Sequence, residues 1–566
     1  MSDEPFTLAA INWREALPFT NIFRAFRVAI HPSKIVLGLV ALVLLYCGGH
    51  LLDEFWPIHD RAVPNEAALY ESFQKWAPPA SRFGDVREEN RNDIRALYSQ
   101  ELLRYQVVSD AGAAERAAVA GDYLGELKAK IVATRDAAVA AAAKVHDAAM
   151  ADSAKASDEK KARADGDSRY EEARRTAYES AYAEFQQVKT IKGVGLFDYY
   201  FDYESNQVSH VVRGVCQWNW FGQESVPGDS MAMPASLGES GVVQSLLRFF
   251  TVGPVWLLTQ HPLFFILFGV YSLVLWAVFG GAISRIAAVH VARDQKMSIR
   301  SALKFSSSKF LSFLFAPIIP LLIVLVVGLL VTCGSLLGNI PFFGPIIIGA
   351  LFFLALAAGF VMTLVLLGLV CGFNLMYPTI AVEGSDSFDS ISRSFSYLYA
   401  LPWRLAFYTV VAVVYGAITY LFVRLFIFLM LTLAHKFVGM GVFVHADSTA
   451  PLWTAMWPSP ATAARLSYDI DFLTLSSGQS LGAFLISFWV NLVIAILGAF
   501  AISFYFSANT IIYYLMRQEA DTTALDDVYL EQMDDEIVDP LPTADPLPQM
   551  TQVADQADNP PSPSSI

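Results

Sequence analysis

The chain has 566 residues, of which 55% are hydrophobic and 16% charged, and its mean hydropathy is +0.43. Several apolar runs exceed the roughly 18 residues that indicate a membrane-spanning helix, which excludes an ordinary soluble globular protein. The net charge is −14, and the four cysteines form no CxxC pair, so neither a disulfide framework nor a zinc site is indicated. We predict an all-α polytopic membrane protein.

Residues 1–52 are predicted to hold an interfacial helix followed by the first transmembrane helix. The chain begins MSDEPF, which lacks the basic start of a signal peptide. In FTNIFRAFRVAIHPSK, Arg24 and Arg27 alternate with aromatic residues at helical spacing, a pattern typical of an amphipathic helix at the membrane surface. The first apolar span then runs from Ile35 to Leu52.

Residues 53–241 form a long polar segment, which we predict to be an extracytoplasmic, helical, coiled-coil-like insert. Its centre is rich in Ala, Glu, Lys and Arg, which are strong helix formers. Asp85 is a predicted helix N-cap, and ADGDS, residues 164–168, is the predicted turn between antiparallel helices, with Ser168 starting the second. The stretch GLFDYYFDYESNQVSHVVRGVCQWNWFGQ, residues 195–223, is aromatic and strand-prone, which suggests a small cap resting on the membrane.

Residues 242–517 are predicted to be a five-helix transmembrane domain, which makes about six spans in all. An interfacial helix, VVQSLLRFFTVGPVWLL, precedes the second span. The predicted second, third and fourth spans are Leu263 to Ile283, Ile318 to Leu337 and Ile346 to Leu375, and the fifth and sixth begin at Leu405 and Leu481. Amphipathic Ser- or Phe-rich stretches with basic residues precede the third and fifth spans, in MSIRSALKFSSSKFLSFLF and SDSFDSISRSFSYLYALPWR. We expect these helices to float at the headgroup level.

The distribution of Lys and Arg near the span ends predicts the orientation. Six basic residues lie between spans two and three, and Arg393, Arg404 and Arg517 lie on the same side, whereas the 338–345 turn has none. Since cytoplasmic loops carry the excess of Lys and Arg, we expect a multi-pass protein of the cell (inner) membrane with both termini in the cytoplasm.

The C-terminal segment, residues 518–566, is predicted to be a disordered cytoplasmic tail. It carries twelve acidic residues and no Lys or Arg, is rich in proline and lacks periodicity. The motif DPLP occurs twice, at 539–542 and 545–548. This short repeat is either a docking motif for a protein partner or part of a solubilising tail.

The stretch NLMYPTIAVEGSDSFDSISRSFSYLYALPWRL resembles a signature of uncharacterised bacterial multi-pass proteins similar to the membrane domain fused to some glycerophosphodiester phosphodiesterases. In that family a span ends in a P-x-I-x-V-E-G turn, and a short helix and an aromatic-basic entry to the next span follow. The matching residues are Pro378, Ile380, Val382, Glu383, Gly384, Arg393, Ser394, Trp403 and Arg404. The resemblance covers roughly residues 260–515. The phosphodiesterase domain would need a His-Arg-Gly start, which the chain lacks, so its catalytic chemistry is not implied.

Four polar residues in or beside the spans are candidate functional positions: Arg424, Asn374, Asn491 and Glu383. An arginine in hydrocarbon is costly and suggests function. Arg424 lies twenty residues, about 30 Å of helix, beyond Arg404. It therefore either snorkels to the outer headgroups or pairs with a buried polar group.

The remaining candidates also allow two interpretations each. Asn374 and Asn491 either bond neighbouring helices or contact a substrate. Glu383 either binds an ion or pairs with Arg393, or it simply favours the helix start at a predicted N-cap, Ser385. In GGHLLDEF, His50, Asp53 and Glu54 suggest a metal but lack a partner cluster, and we interpret them as a boundary cap.

The sequence contains no nucleotide-binding loop, hydrolase elbow or metalloprotease motif. It offers no cofactor site, and its dispersed basic residues do not indicate nucleic-acid binding. We predict a non-enzymatic envelope scaffold or interaction protein that contacts the lipid bilayer and binds protein partners through the 53–241 insert and the acidic tail. The alternative is a transporter or lipid-handling protein, favoured by the amphipathic repeats and the intramembrane polar residues. The sequence does not specify an oligomeric state.

Overall fold

The structure, a computed structural model, describes residues 17–57, 60–76, 82–153, 159–191, 193–222, 241–443, 451–459, 466, 470, 472 and 475–529. In this part of the chain the regular elements are helices, and Ala62 and Val194 form an antiparallel bridge. The all-α fold class is thus confirmed. The helices are α1 (Arg24–Ala29), α2 (Pro32–Phe55), α3 (Glu66–Trp76), α4 (Phe83–Arg104), α5 (Ala111–Ala120), α6 (Leu124–Ser153), α7 (Glu159–Ile191), α8 (Leu196–Cys216), α9 (Val242–Phe250), α10 (Val252–Gln260), α11 (Pro262–Leu275), α12 (Gly281–Arg293), α13 (Ile299–Ser308), α14 (Phe310–Ser335), α15 (Phe343–Glu383), α16 (Ser387–Ala400), α17 (Pro402–Gly439), α18 (Leu452–Met456) and α19 (Ser477–Asp521).

Seven helical segments of the described chain are long and apolar enough to cross a membrane: Pro32–Phe55, Val242–Gln260, Pro262–Arg293, Phe310–Asn339, Phe343–Glu383, Pro402–Gly439 and Ser477–Asp521. The protein is therefore a multi-pass membrane protein. One of the seven, Val242–Gln260, is the segment predicted to lie at the membrane surface, and it divides at Thr251 into α9 and α10. Each half has nine residues, about 14 Å of helix, which is shorter than the hydrocarbon thickness of about 30 Å.

The membrane helices pack most closely at one end. We call this end, next to residues 522–529, the tail side, and the other end, next to residues 60–222, the insert side. The main hydrophobic core lies at the tail side and includes Ile286, Ile380 and Tyr513. The insert-side halves of α14 and α15 expose most of their large apolar side chains, which suits contact with lipid.

Short helices precede the membrane helices at the tail side, as the recurring pattern predicted, but one face of each is buried and includes serines. In α13 the buried face holds Ala302, Phe305 and Ser306, and in α16 it includes Ser390 and Ser394. These helices are thus packed into the protein core rather than floating among headgroups, and the Ser390 hydroxyl donates to the Met376 carbonyl of α15 (2.8 Å). The N-cap of α16 is Asp386, so the assignment to Ser385 was wrong.

The long helices α6 and α7 form an antiparallel hairpin, and the segment predicted to be the turn between them is helical. His146 Nε2 lies 2.8 Å from Asp167 Oδ1, and the Arg135 guanidinium lies 4.9 Å from the centre of the Tyr178 ring. The predicted turn at residues 164–168 and the helix start at Ser168 were therefore wrong, since α7 continues through both.

Two other predictions within the insert also fail. Helix α4 begins at Phe83 with Arg82 as its N-cap, so Asp85 lies in the first turn instead. The strand-prone stretch from Gly195 is the helix α8. Its aromatic residues have high strand propensity, but tertiary contacts override propensity where a face can be buried: Leu196 and Phe197 are buried in a core shared with Trp256 and Phe264.

The last membrane helix is longer than expected, and the chain folds back after it. Helix α19 ends at Asp521, beyond the predicted boundary at 517/518. The Tyr529 amide then donates to the Val382 carbonyl (2.8 Å), and Val528 is buried. The start of the predicted disordered tail is thus ordered. Residues 530–566, with both DPLP motifs, lie outside the described residues.

Candidate functional site

Glu66 joins the insert to the membrane domain. Its side chain, at the start of α3, is fully buried, and its Oε2 accepts from the backbone N–H of Val63 (2.9 Å). Its Oε1 accepts from the indole N–H of Trp256 in α10 (3.3 Å). The next residue, Ala67, donates its N–H to the hydroxyl of Tyr199 in α8 (2.8 Å). Helices α8 and α10 therefore meet at the start of α3, and α10 does so through the Glu66 carboxylate.

Two basic side chains complete the surroundings of Glu66. The Nε of Arg87 lies 3.1 Å from Oε1, and the Nε2 of His261, at the start of α11, lies 3.5 Å from it. Burial favours the neutral acid, but the adjacent His261 imidazole and the Arg87 charge outweigh it and hold the pKa of Glu66 below its ordinary value. The carboxylate is therefore charged, and it ties α4 and α11 to α3.

Among the described residues, His50, Asp53 and Asp198 form a group whose type and spacing could hold a metal, with ligand atoms within 4.8 Å of one another. The Asp53 carboxylate, however, accepts from the backbone N–H groups of Phe197 (2.9 Å) and Asp198 (3.1 Å). It thus caps the N-terminus of α8, while His50 Nδ1 lies 3.1 Å from Asp198 Oδ1. The helix cap and the contact between His50 and Asp198 account for all three side chains.

Glu383, one of the predicted candidates, lies in a charged cluster at the tail side. Its carboxylate is 2.8 Å from Arg393 Nε and 3.4 Å from Arg517 Nε, and it accepts a hydrogen bond from the Tyr513 hydroxyl. These contacts join α15, α16 and α19. The Glu383 side chain is only 9% exposed, so the two arginines already fill the space around its carboxylate.

Asn374 lines a cavity of about 400 Å³ within the membrane domain. The Asn374 side-chain oxygen accepts from the hydroxyl of Tyr505 (2.6 Å), which joins α15 to α19. The rest of the lining is apolar or aromatic: Leu273, Ala501 and Ile502 are aliphatic, and the aromatic side chains are those of Trp276, Phe373, Tyr377 and Phe506. The volume is in the range of small-molecule pockets, roughly 300–1,000 Å³.

A π-helical turn, Trp276–Gly280, forms one wall of this cavity and links α11 to α12. Such turns leave carbonyl groups without their usual helical partners. Here the Ser306 hydroxyl lies 2.8 Å from the Ala277 carbonyl oxygen and 2.6 Å from that of Val278. Helix α13 thus stabilises the turn, and the turn directs the Trp276 ring towards the cavity.

Arg424 and Asn491 lie away from this cavity. Arg424 is 6% exposed, and its guanidinium donates to the Tyr420 hydroxyl (2.9 Å) one turn earlier on α17. It is therefore enclosed by protein at this position. Asn491 is exposed on α19, and its amide donates to Ser487 Oγ (3.1 Å) on the same helix.

Sequence reasoning missed Glu66, Tyr505 and Trp276. Glu66 stands in a polar segment where acids are common, and nothing near it in sequence signals Arg87 or Trp256. Tyr505 is 131 residues from Asn374, so their hydrogen bond has no local signature.

No family model, no curated protein and no solved structure matches the chain, so the family resemblance remains a prediction.

Proposed function

We propose that this protein is a non-enzymatic membrane scaffold that holds its helical insert as an interaction arm. The observation that carries the proposal is the buried junction at Glu66. A simple tether would need no such contact, whereas here Arg87, Trp256 and His261 converge on one carboxylate at 3.1–3.5 Å. The junction supports an arm held at a defined angle on its membrane base.

The arm has its own packing, which supports its role as a rigid unit. Ile131 and Ala181 on the hairpin are buried in one cluster with Tyr98 and Leu102 of α4. Glu184 of α7 lies 3.3 Å from Arg104 of α4. Farther along the hairpin the Ala-rich surface is open, and Val145 is 70% exposed. Small side chains allow close helix–helix approach, so we propose a helical protein partner.

We further propose that the membrane is the cell (inner) membrane and that both termini are cytoplasmic. Exposed basic residues at the tail side, including Arg293, Lys296, Arg300 and Lys304, support this orientation by the excess of cytoplasmic Lys and Arg. The arm would then face the extracytoplasmic space. The acidic tail is the second proposed interaction module.

Site-specific photo-crosslinking in cells tests the interaction arm. A photoreactive phenylalanine analogue is placed at Val145, and a matched control carries it at Phe388 on the tail side; both native side chains are 70% exposed. We expect discrete protein adducts from position 145 that are absent from position 388. Deleting residues 530–566 should leave the adducts at 145 unchanged, because the proposed orientation puts the tail in the cytoplasm and the arm outside it.

The proposal fails if position 145 gives no protein adduct above background while the chain is expressed and inserted. It also fails if both positions give the same adducts, since those would report abundance rather than a partner of the arm.

A further inference from the structure

The intramembrane cavity presents hydrogen-bond donors that the protein does not use. The side-chain oxygen of Asn374 is taken by Tyr505, and within the described part of the chain the amide nitrogen has no partner. In hydrocarbon an unsatisfied N–H group costs several kcal/mol. Because Asn374 lines the cavity, an acceptor oxygen on a bound molecule would satisfy this amide.

The cavity lies deep within the membrane domain. Asn374 is nine residues, about 14 Å of helix, from Glu383, and Tyr505 is twelve residues, about 18 Å, from Arg517. These distances are about half of a 30 Å hydrocarbon layer. The charged headgroup of a phospholipid remains at the surface, so the acceptor must belong to a neutral group that enters the hydrocarbon.

The walls favour a flat molecule. The rings of Tyr377 and Phe506 are stacked at an interplanar angle of 18°, with centroids 6.0 Å apart, and Trp276 lies 6.0 Å from Phe506. Aromatic walls bind planar conjugated groups through offset stacking and edge contacts. The described residues that line the cavity include no charged side chain, so an ionic ligand has no counter-charge there.

We propose that this cavity binds a neutral lipid with a flat, carbonyl-bearing ring, the chemistry of a membrane quinone. The Asn374 amide donates to a ring carbonyl, Tyr505 fixes the amide orientation, and the aromatic side chains contact the ring. The exposed edges of Phe373 and Tyr505 leave a path to the bilayer for the alkyl tail. The proposal concerns binding alone and is independent of the interaction arm.

The test measures binding of a decyl-substituted benzoquinone to the full chain in lipid nanodiscs, after subtraction of uptake by empty nanodiscs. A decylbenzene of equal tail length lacks the carbonyls and reports binding by ring and chain alone. We expect the wild-type protein to prefer the quinone by roughly threefold to tenfold, the effect of one intramembrane hydrogen bond.

Asn374→Leu should abolish this preference, because leucine has similar size and no donor. Asn491→Leu is the matched control, since that asparagine lies in the membrane but bonds within its own helix. The thermal unfolding midpoint of each variant establishes that it is folded. If Asn374→Leu does not fold, the comparison of quinone and decylbenzene binding by the wild-type protein still tests whether the cavity binds a carbonyl-bearing ring.

Three results would overturn the proposal. Equal binding of both probes to the wild-type protein would assign the cavity to an acyl chain or to water. A quinone preference that survives in Asn374→Leu would place the binding elsewhere. Loss of the preference in Asn491→Leu as well would indicate a general effect of removing an intramembrane amide.

Discussion

Replacing Glu66 by glutamine should loosen the junction between the insert and the membrane domain. The substitution keeps the size of the side chain and an oxygen that can accept from the Val63 N–H. It removes the negative charge that lies 3.1 Å from Arg87 Nε. Arg87 then holds a positive charge in a largely buried position without its partner, and that uncompensated charge is the main expected cost.

The magnitude follows from burial. Breaking a buried ion pair by removing one partner costs about 3–5 kcal/mol. The Arg87 side chain is 15% exposed, whereas Glu66 is not exposed at all. Because water partly solvates the remaining charge, we reduce the expected cost to about 2–3 kcal/mol. At 1.36 kcal/mol for each factor of ten, local opening becomes about 30- to 150-fold more frequent.

Hydrogen–deuterium exchange of the full chain in nanodiscs measures this opening. Under conditions where exchange reports the opening equilibrium, amides of α3 should exchange about 30- to 150-fold faster in Glu66→Gln. Amides at the tail side should keep their wild-type rates, because the core there makes no contact with Glu66. The predicted pattern is thus local to the junction.

The control is Glu159→Gln, which removes a charge from an exposed pair with Arg163 on the hairpin surface. Exposed pairs contribute at most about 1 kcal/mol, so this variant should alter exchange only slightly. Unchanged α3 exchange in Glu66→Gln would refute the reasoning, because the carboxylate would then not hold the junction. Equal acceleration throughout the chain would refute it too, since the effect would be global.

Three further variants test other contacts. Burial raises the pKa of Glu204 to about 8. The stability that the protonated form contributes is therefore complete below the ordinary pKa of 4.5 and is lost as the pH rises through 8. Glu204→Gln should remove this part of the pH dependence of Tm. Gly49→Ala places a methyl group 2.3 Å from the buried Phe197 ring and should lower the free energy of unfolding, measured with denaturant, by about 1–3 kcal/mol. The control Gly269→Ala meets nothing within 4 Å and should not lower it. Arg285 donates to the Tyr529 carbonyl (2.6 Å), so Arg285→Met should speed amide exchange at Tyr529, and an unchanged rate would contradict this role for Arg285.

The membrane helices could be predicted from the sequence because the bilayer imposes one requirement on each of them. Around 20 consecutive apolar residues are needed to cross the hydrocarbon, and such runs are visible without any tertiary information. Helix ends were harder to predict: α15 continues to Glu383 rather than Leu375, because its last two turns are buried in protein.

Local propensity failed where tertiary packing decided the outcome. The stretch from Gly195 has strand-forming residues, yet it is helical because Asp53 caps its N-terminus and Phe197 is buried against α2. The glycine of ADGDS signalled a turn, but this segment lies inside α7 and packs along α6. In both places a long-range contact outweighed a preference of the order of 1 kcal/mol.

The sequence by itself determined a helical multi-pass membrane protein with a polar insert and an acidic tail, since hydropathy and composition are properties of contiguous residues. It also pointed to Asn374 and Glu383 as polar groups in unusual surroundings. Only the tertiary structure decided their partners, Tyr505 and Arg517, and only it revealed Glu66 as the junction between insert and membrane. Polar groups in an apolar interior must find partners in three dimensions, and distance along the chain does not record where those partners lie.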